Sequence, residues 1–291
     1  VNILVTQSDG LLGNAIAQRL LRLPHIHVHA GTCHPERLQP LADAGATVVT
    51  VDMFNEDNLR AVISTVDKVV WITPDNAHAS HHTDRMLRIC SALDNVQQIV
   101  LRSHIDAGLD THHDLGRQYG RSEELLKNCG VPYTIVRTGA LAQQLSGDAP
   151  WIYQRGDNTF YLPIADSAVA WVDADDVARM IVWTLTSDDA HSQTYTVTGP
   201  QALNLHEVAN RVGKAVQREF HIAELDRFDY LERMRDHDAT EYVIDSATVM
   251  LEEMRRGEFA TVSDDFPAAT GETPTAFDDF ITEHTEFWAA Q

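Results

Sequence analysis

Seven residues, Gln7-Ser8-Asp9-Gly10-Leu11-Leu12-Gly13, follow a short apolar run and open directly into a stretch of helical period. Glycines in a strand-to-helix turn let backbone N–H groups close on a phosphate, because a helix N-terminus carries unsatisfied donors and partial positive charge. The chemistry implied is the binding of a pyrophosphate, and hence of a dinucleotide. Two glycines alone would also suit a purely structural turn. A second group of chemically capable residues is the 15 histidines, which cluster at His25, His27, His29 and His34, at His78, His81 and His82, and at His104, His112 and His113. His78 and His82 would share a helix face, a spacing that suits a metal pair, but no carboxylate or cysteine stands where it would complete the site, and no metal is expected. His104, His112 and His113 are candidates for a proton donor near neutral pH. Cys33, Cys90 and Cys129 stand far apart, which indicates neither a disulfide framework nor a zinc ribbon and fits a reducing compartment.

The elements that must position these residues alternate in the first 140 positions. Strand candidates are Asn2–Thr6, His25–Ala30, Thr47–Val51, Lys68–Thr73, Gln98–Arg102 and Tyr133–Arg137. Between them Ala15, Ile16, Leu20 and Leu23 fall at helical spacing, as do Leu59, Val62, Ile63 and Val66 behind an Asn55 cap. Val69-Val70-Trp71-Ile72 is a continuous apolar run, as expected of a parallel strand covered on both faces. The pattern predicts an α/β fold, an open doubly wound parallel sheet followed by a mostly helical C-terminal stretch. A further strand is expected at Thr194–Thr198.

The balance of charge narrows the partners. Lysine and arginine number 22 against 43 acidic residues, a formal net charge of −21, and a field of that sign repels nucleic acid and anionic lipid. Residues 221–291 hold 18 acidic and 5 basic side chains, read as a solvated helical lobe or, more sharply, as a surface attracting a cationic substrate or partner. No run approaches a membrane span and Val1 opens into a strand-like segment rather than a leader, so a cytoplasmic chain is expected.

The glycine turn resembles the T-G-A-T-G-x-x-G turn of atypical short-chain dehydrogenases/reductases, in particular the NmrA-like group. Val100-Leu101-Arg102-Ser103-His104 is similar to that group's strand ending in serine. Ser122-Glu123-Glu124-Leu125-Leu126 through Cys129-Gly130-Val131-Pro132-Tyr133-Thr134-Ile135-Val136-Arg137-Thr138-Gly139 resembles its E-x-x-L-x-x-S-G-x-x-Y-T-x-x-R-P-G signature. Trp171-Val172-Asp173-Ala174-Asp175-Asp176-Val177-Ala178 resembles F-V-D-x-x-D-V-A, and Tyr195-Thr196-Val197-Thr198-Gly199-Pro200 resembles Y-x-L-T-G-P. The likeness extends over nearly the whole chain and implies a doubly wound parallel Rossmann sheet with a small, mostly helical C-terminal lobe, residues 1–140 with 165–198 forming the dinucleotide-binding core and 141–164 with 199–291 the substrate-binding lobe. It implies NAD(P)H-dependent reduction of a quinone, dye or imine, or a non-catalytic sensor that passes dinucleotide occupancy to a protein partner. A descendant that has lost the dinucleotide and uses the cleft for another ligand is a third reading. The reductase of a small apolar or aromatic acceptor is the leading expectation.

By the same resemblance the cofactor, NADP or NAD, would lie on Gln7, Ser8, Asp9, Gly10, Leu11, Leu12 and Gly13. Cys33, His34 and Arg37 would follow the second strand, Asp52 and Met53 the third, and Thr73 and Pro74 the fourth. Where NADP-preferring relatives place an arginine and NAD-preferring ones an acidic residue, this chain has Cys33; Arg37 one turn further either reaches a 2′-phosphate, which would tip the choice slightly to NADP, or is a solvated surface side chain, and the preference between NADP and NAD stays open. Gln7 stands where the first glycine is usual, a substitution costing on the order of 1–3 kcal/mol if positive φ is required. Asp9 either caps the helix or repels a phosphate, by roughly 3 kcal/mol at about 5 Å and an effective dielectric of about 20. Catalytic short-chain dehydrogenases use a serine, a tyrosine and a lysine four residues later. Ser103 fits the first, but Leu115 and Tyr119 stand at the other two, so that dyad is absent. Ser103, Tyr119, His104 and His113 are then the candidates to orient and protonate an acceptor, and Trp151, Tyr153, Phe160 and Tyr161 either stack on a flat substrate or simply pack.

Overall fold

The computed structural model describes residues 1–291 except 147, 148, 150, 151, 155, 165, 188, 189, 290 and 291, so Trp151 lies outside the described residues. The chain divides into two compact units, Val1–Arg137 with Ala174–Thr196, and Thr138–Asp173 with Val197–Gln291.

The first unit alternates strand and helix: β1 (Asn2–Val5), α1 (Leu11–Leu21), β2 (His27–Thr32), α2 (Gln39–Asp43), β3 (Thr47–Thr50), α3 (Glu56–Ile63), β4 (Lys68–Trp71), α4 (Ala79–Ala92), β5 (Gln98–His104), α5 (Asp114–Lys127) and β6 (Tyr133–Thr138). The strands form a seven-stranded sheet in the order β3-β2-β1-β4-β5-β6-β9, where β9 is Gln193–Val197, and the pairs of β1 with β2, β1 with β4, β2 with β3 and β4 with β5 are parallel. This is the doubly wound sheet that the alternation predicts. The order reverses between β1 and β4, the position at which such sheets leave a crevice outside their carboxyl ends. Thr6 locks that point: its Oγ1 donates to the Ile72 carbonyl and accepts from the Ile72 amide, both at 2.8 Å.

Apolar strand residues such as Ile3, Leu4, Val5, Val69, Val70 and Trp71 are buried, because helices cover both faces. On α1, Leu12, Ile16 and Leu20 recur every four residues and form its buried stripe. α1 packs on α6 (Ala174–Thr186), where Arg19 grips the Asp175 carboxylate with two nitrogens. Asn55 caps α3 by accepting from the Asn58 amide at 3.1 Å, as its sequence position predicts.

The second unit holds a three-stranded sheet that the sequence pattern does not predict, in the order β10-β8-β7: β7 (Tyr153–Gln154), β8 (Thr159–Tyr161) and β10 (His221–Ala223). These strands are two or three residues long, too short for a period-2 signal. Its helices are α7 (Leu205–Val216), α8 (Arg227–Asp236), α9 (Glu241–Arg255), α10 (Asp265–Thr270), α11 (Phe277–Glu283) and α12 (Thr285–Ala289). Tyr153 and Phe160 are buried and pack on each other and on Phe220, with ring centroids 5.0–6.0 Å apart. Tyr161 donates to Asp157 at 2.7 Å and lies under the Arg233 guanidinium. Those three aromatics are engaged inside their own unit. Among the described residues no helix is long and apolar enough to cross a membrane.

Candidate functional site

After β1 the backbone turns sharply into α1. Gln7 adopts φ +50°, the left-handed region that glycine enters without strain, and its carbonyl accepts from the Gly10 amide at 2.9 Å. Gly13 is required by close approach, since a Cβ there would lie 2.1 Å from the Gln7 oxygen. Ser8 is buried and its hydroxyl donates to the Val5 carbonyl at 2.8 Å, so it braces the turn. Gly10 is the N-cap of α1 and no side chain caps the helix. The first-turn N–H groups are therefore available to an anion. Asp9 does not cap α1; its carboxylate lies 3.7 Å from Arg37 Nη1, a cationic partner 28 positions away at the same cleft.

A cleft of about 440 Å³ opens at the carboxyl ends of β1 to β4. Of the candidate cofactor residues, Gln7, Asp9, Gly10, Cys33, His34, Arg37, Asp52, Met53 and Pro74 line it. Ser8, Leu12, Gly13 and Thr73 do not; Leu12 and Thr73 are buried, and Leu11 is 41% exposed on the first turn of α1. Cys33 is exposed, His34 sits 3.5 Å from Glu36, and Asp52 accepts the Phe54 amide at 2.9 Å. Thr32, Val51, Phe54 and His82 complete the lining and were not expected there. The signal that could have found the last two is the exposed aromatic in Asp52-Met53-Phe54, just beyond a strand, and a histidine one turn into α4.

The candidate catalytic residues gather where β5 and α5 meet the segment after β4. Ser103 donates its hydroxyl to Glu123 at 2.7 Å, and Arg137 holds the same buried carboxylate through two bonds of 2.8 and 2.6 Å. Tyr119 is fully buried; its hydroxyl donates to Asp75 at 2.5 Å and accepts from Arg102. Burial pushes the Tyr119 phenol well above its ordinary pKa, with Arg102 opposing and Asp75 reinforcing the shift. Tyr119 is thus a neutral donor and no base. His104 and His113 both contact Asp106, His104 through Nδ1 and His113 through Nε2. Burial would raise the Asp106 carboxyl, but the charge and hydrogen bond of His104, and then the hydrogen bond of His113, hold it well below the usual range. His113 Nδ1 also accepts the Gly116 amide at 3.1 Å, capping α5, so both of its ring nitrogens are engaged. His112 is exposed. Asp75, Arg102, Asp106 and Glu123, the partners that orient this group, were not singled out from sequence; only the spacing His104-x-Asp106 hints at one of them.

An uncapped helix N-terminus after the central strand of a doubly wound sheet, with a cleft at the switch point, defines a dinucleotide-binding α/β protein. The chain belongs to the NAD(P)H-binding family, which matches residues 8–188. It is 26% identical over 288 residues to an NAD(P)H azoreductase of Xenophilus azovorans, covering 99% of each chain. Among solved structures it is similar to an NADPH-dependent quinone oxidoreductase of Escherichia coli bound to NADPH, with a TM-score of 0.83, 19% identity and coverage of 97% of this chain and 99% of that one. A triphenylmethane reductase of Citrobacter complexed with NADP(H) gives a TM-score of 0.82 at 17% identity, covering 98% and 100%. The fold is that of these proteins. The residues present fit the cofactor: the α1 N-terminus is uncapped, glycine is the only residue type the turn admits at position 13, and His82, which lines the cleft, has a buried Nε2 without a hydrogen-bond partner.

Proposed function

We propose that this protein is an NAD(P)H-dependent reductase of a small apolar or aromatic acceptor of the quinone, dye or imine type. The observation that carries the reading is the uncapped N-terminus of α1 over the cleft at the β1/β4 switch point, and the azoreductase likeness over the full chain supports the acceptor class. When bound, the dinucleotide supplies the hydride.

The chain's own residues bind and orient. The backbone from Gln7 to Gly13 holds the pyrophosphate, with Ser8 bracing the turn from below. Arg37, kept over the cleft by Asp9, reaches toward a 2′-phosphate and favours NADPH, while His34 and Cys33 flank it. Asp52, Met53 and Pro74 line the adenosine side, and Thr73 lies buried behind. Tyr119, fixed between Asp75 and Arg102, and His104, held by Asp106 through Nδ1, orient the acceptor. His113 positions His104 through their shared carboxylate, and Ser103 secures the end of β5 through Glu123. No tyrosine–lysine dyad is needed, because orientation of acceptor against cofactor accounts for most of the rate.

Calorimetric titration of the cofactor-stripped protein with NADPH, NADH and their oxidised forms tests this. Micromolar binding with preference for the reduced form, followed by turnover of a quinone or azo dye, is expected. Equal binding of both redox states with no turnover of any acceptor would indicate a sensor, and no binding below about a millimolar, weaker than roughly −4 kcal/mol, a cleft converted to another ligand.

A further inference from the structure

The phosphate-binding turn leaves one part of the cleft without a role. His82 is 1% exposed, lines the cleft from α4, and has its Nδ1 3.3 Å from the Met53 carbonyl oxygen. A carbonyl only accepts, so Nδ1 carries the proton and Nε2 is a lone-pair acceptor. That Nε2 is buried and has no hydrogen-bond partner, which is rare for a polar atom in a folded interior. Burial lowers the His82 pKa against the opposing Met53 bond, so the ring is neutral and Nε2 stays an acceptor at pH 7. Phe54 meets the His82 ring edge-on, with centroids 4.6 Å apart and planes at 88°, yet is itself 69% exposed. A large apolar ring displayed to water at the rim of a cleft has little holding it in place and a flat ligand to gain.

We propose that Phe54 and His82 form a base-selective clasp, in which Phe54 moves from the edge of His82 onto the face of the adenine and His82 Nε2 accepts a hydrogen bond from the exocyclic amine. The proposal rests on the dinucleotide reading above and adds what the cleft discriminates. An acceptor fixed at that edge of the base distinguishes ligands by sign. Adenine presents an N–H donor there, whereas hypoxanthine presents a carbonyl oxygen, which would set two acceptors against each other and leave His82 unpaired. The tautomer is held by a main-chain atom, so His82 cannot adapt without giving up the Met53 contact. Stacking on Phe54 carries no such preference, because both bases offer the same aromatic face. Affinity is thereby assigned to Phe54 and selectivity to His82.

The test is calorimetric titration of the full chain with NADPH and with its hypoxanthine counterpart. The wild-type protein is expected to bind NADPH at least about tenfold more tightly. His82→Phe should bring the two to within about twofold by weakening NADPH, and the Met53 carbonyl keeps a donor in that variant from Arg85. Phe54→Ala should weaken both ligands by a common factor and preserve their ratio. Micromolar binding of both dinucleotides within about twofold by the wild-type protein would overturn the clasp and leave the dinucleotide reading intact; that comparison needs no variant to fold. A ratio unchanged in His82→Phe would overturn the role of His82. Absence of binding by either dinucleotide would overturn the dinucleotide reading and the clasp with it.

Discussion

Gln7→Gly is the substitution whose effect follows most directly from geometry. Gln7 has φ +50°, where an L-residue loses about 1–2 kcal/mol relative to the right-handed region. Its side chain makes no hydrogen bond among the described residues, so no polar contact of the side chain offsets that cost. Glycine relieves the strain but is more flexible in the unfolded chain, which takes back about 0.4–1 kcal/mol. The net gain is about 0.5–1 kcal/mol, and for a cooperative unit of this size that raises Tm by about 1–4 °C. Gln7 also lines the cleft, so removing its side chain should tighten NADPH binding. Gln7→Ala separates the two effects, because alanine clears the side chain while keeping the unfavourable backbone: it should match glycine in affinity and show no gain in Tm. The assays are scanning calorimetry of the stripped protein and titration with NADPH. A Tm for Gln7→Gly at or below wild type, or equal gains in Tm for glycine and alanine, would refute the strain argument.

Three further outcomes are expected. Arg137→Met leaves the Glu123 carboxylate, 1% exposed, with Ser103 and a lysine at 3.9 Å, and should cost about 3–5 kcal/mol in urea unfolding; a loss below about 1 kcal/mol would show that water or repacking replaces the guanidinium. Burial raises the pKa of both Tyr119 and Tyr230, so their stabilising contribution is full below the unfolded value of about 10 and is lost as pH rises through the folded values. Of the 7 tyrosines, those two should ionise in ultraviolet absorbance only as the alkaline protein unfolds, and titration of all seven near pH 10 in a folded protein would contradict the burial account. Tyr119→Phe removes the donor to Asp75 and the acceptor of Arg102, and should lower acceptor turnover about tenfold or more with NADPH affinity unchanged; identical turnover would remove Tyr119 from the mechanism.

The sheet was legible because its signals are local. Val69-Val70-Trp71 reads as a doubly covered strand, Asn55 as a cap, and Gln7-Ser8-Asp9-Gly10 as a strand-to-helix turn, and each reading depends on neighbours within a few positions. The site was legible only as a set of residue types at the ends of strands. Which polar atom a ligand can use is decided by partners far along the chain: Arg37 reaches Asp9, Asp75 accepts the hydrogen bond of Tyr119 across 44 positions, and Asp106 joins His104 to His113. Chemistry-bearing side chains in a packed interior are first claimed by one another, because an unpaired buried donor or acceptor costs about 1–3 kcal/mol. Ser103 and His113 therefore brace the site, although their types suit catalysis equally well. The converse is more informative. Where a neutral, nearly inaccessible histidine keeps an acceptor with no partner beside an aromatic ring left in water, the interior carries a desolvation cost that a bound ligand would offset, and on that ground the base of the proposed ligand is placed at His82 and Phe54.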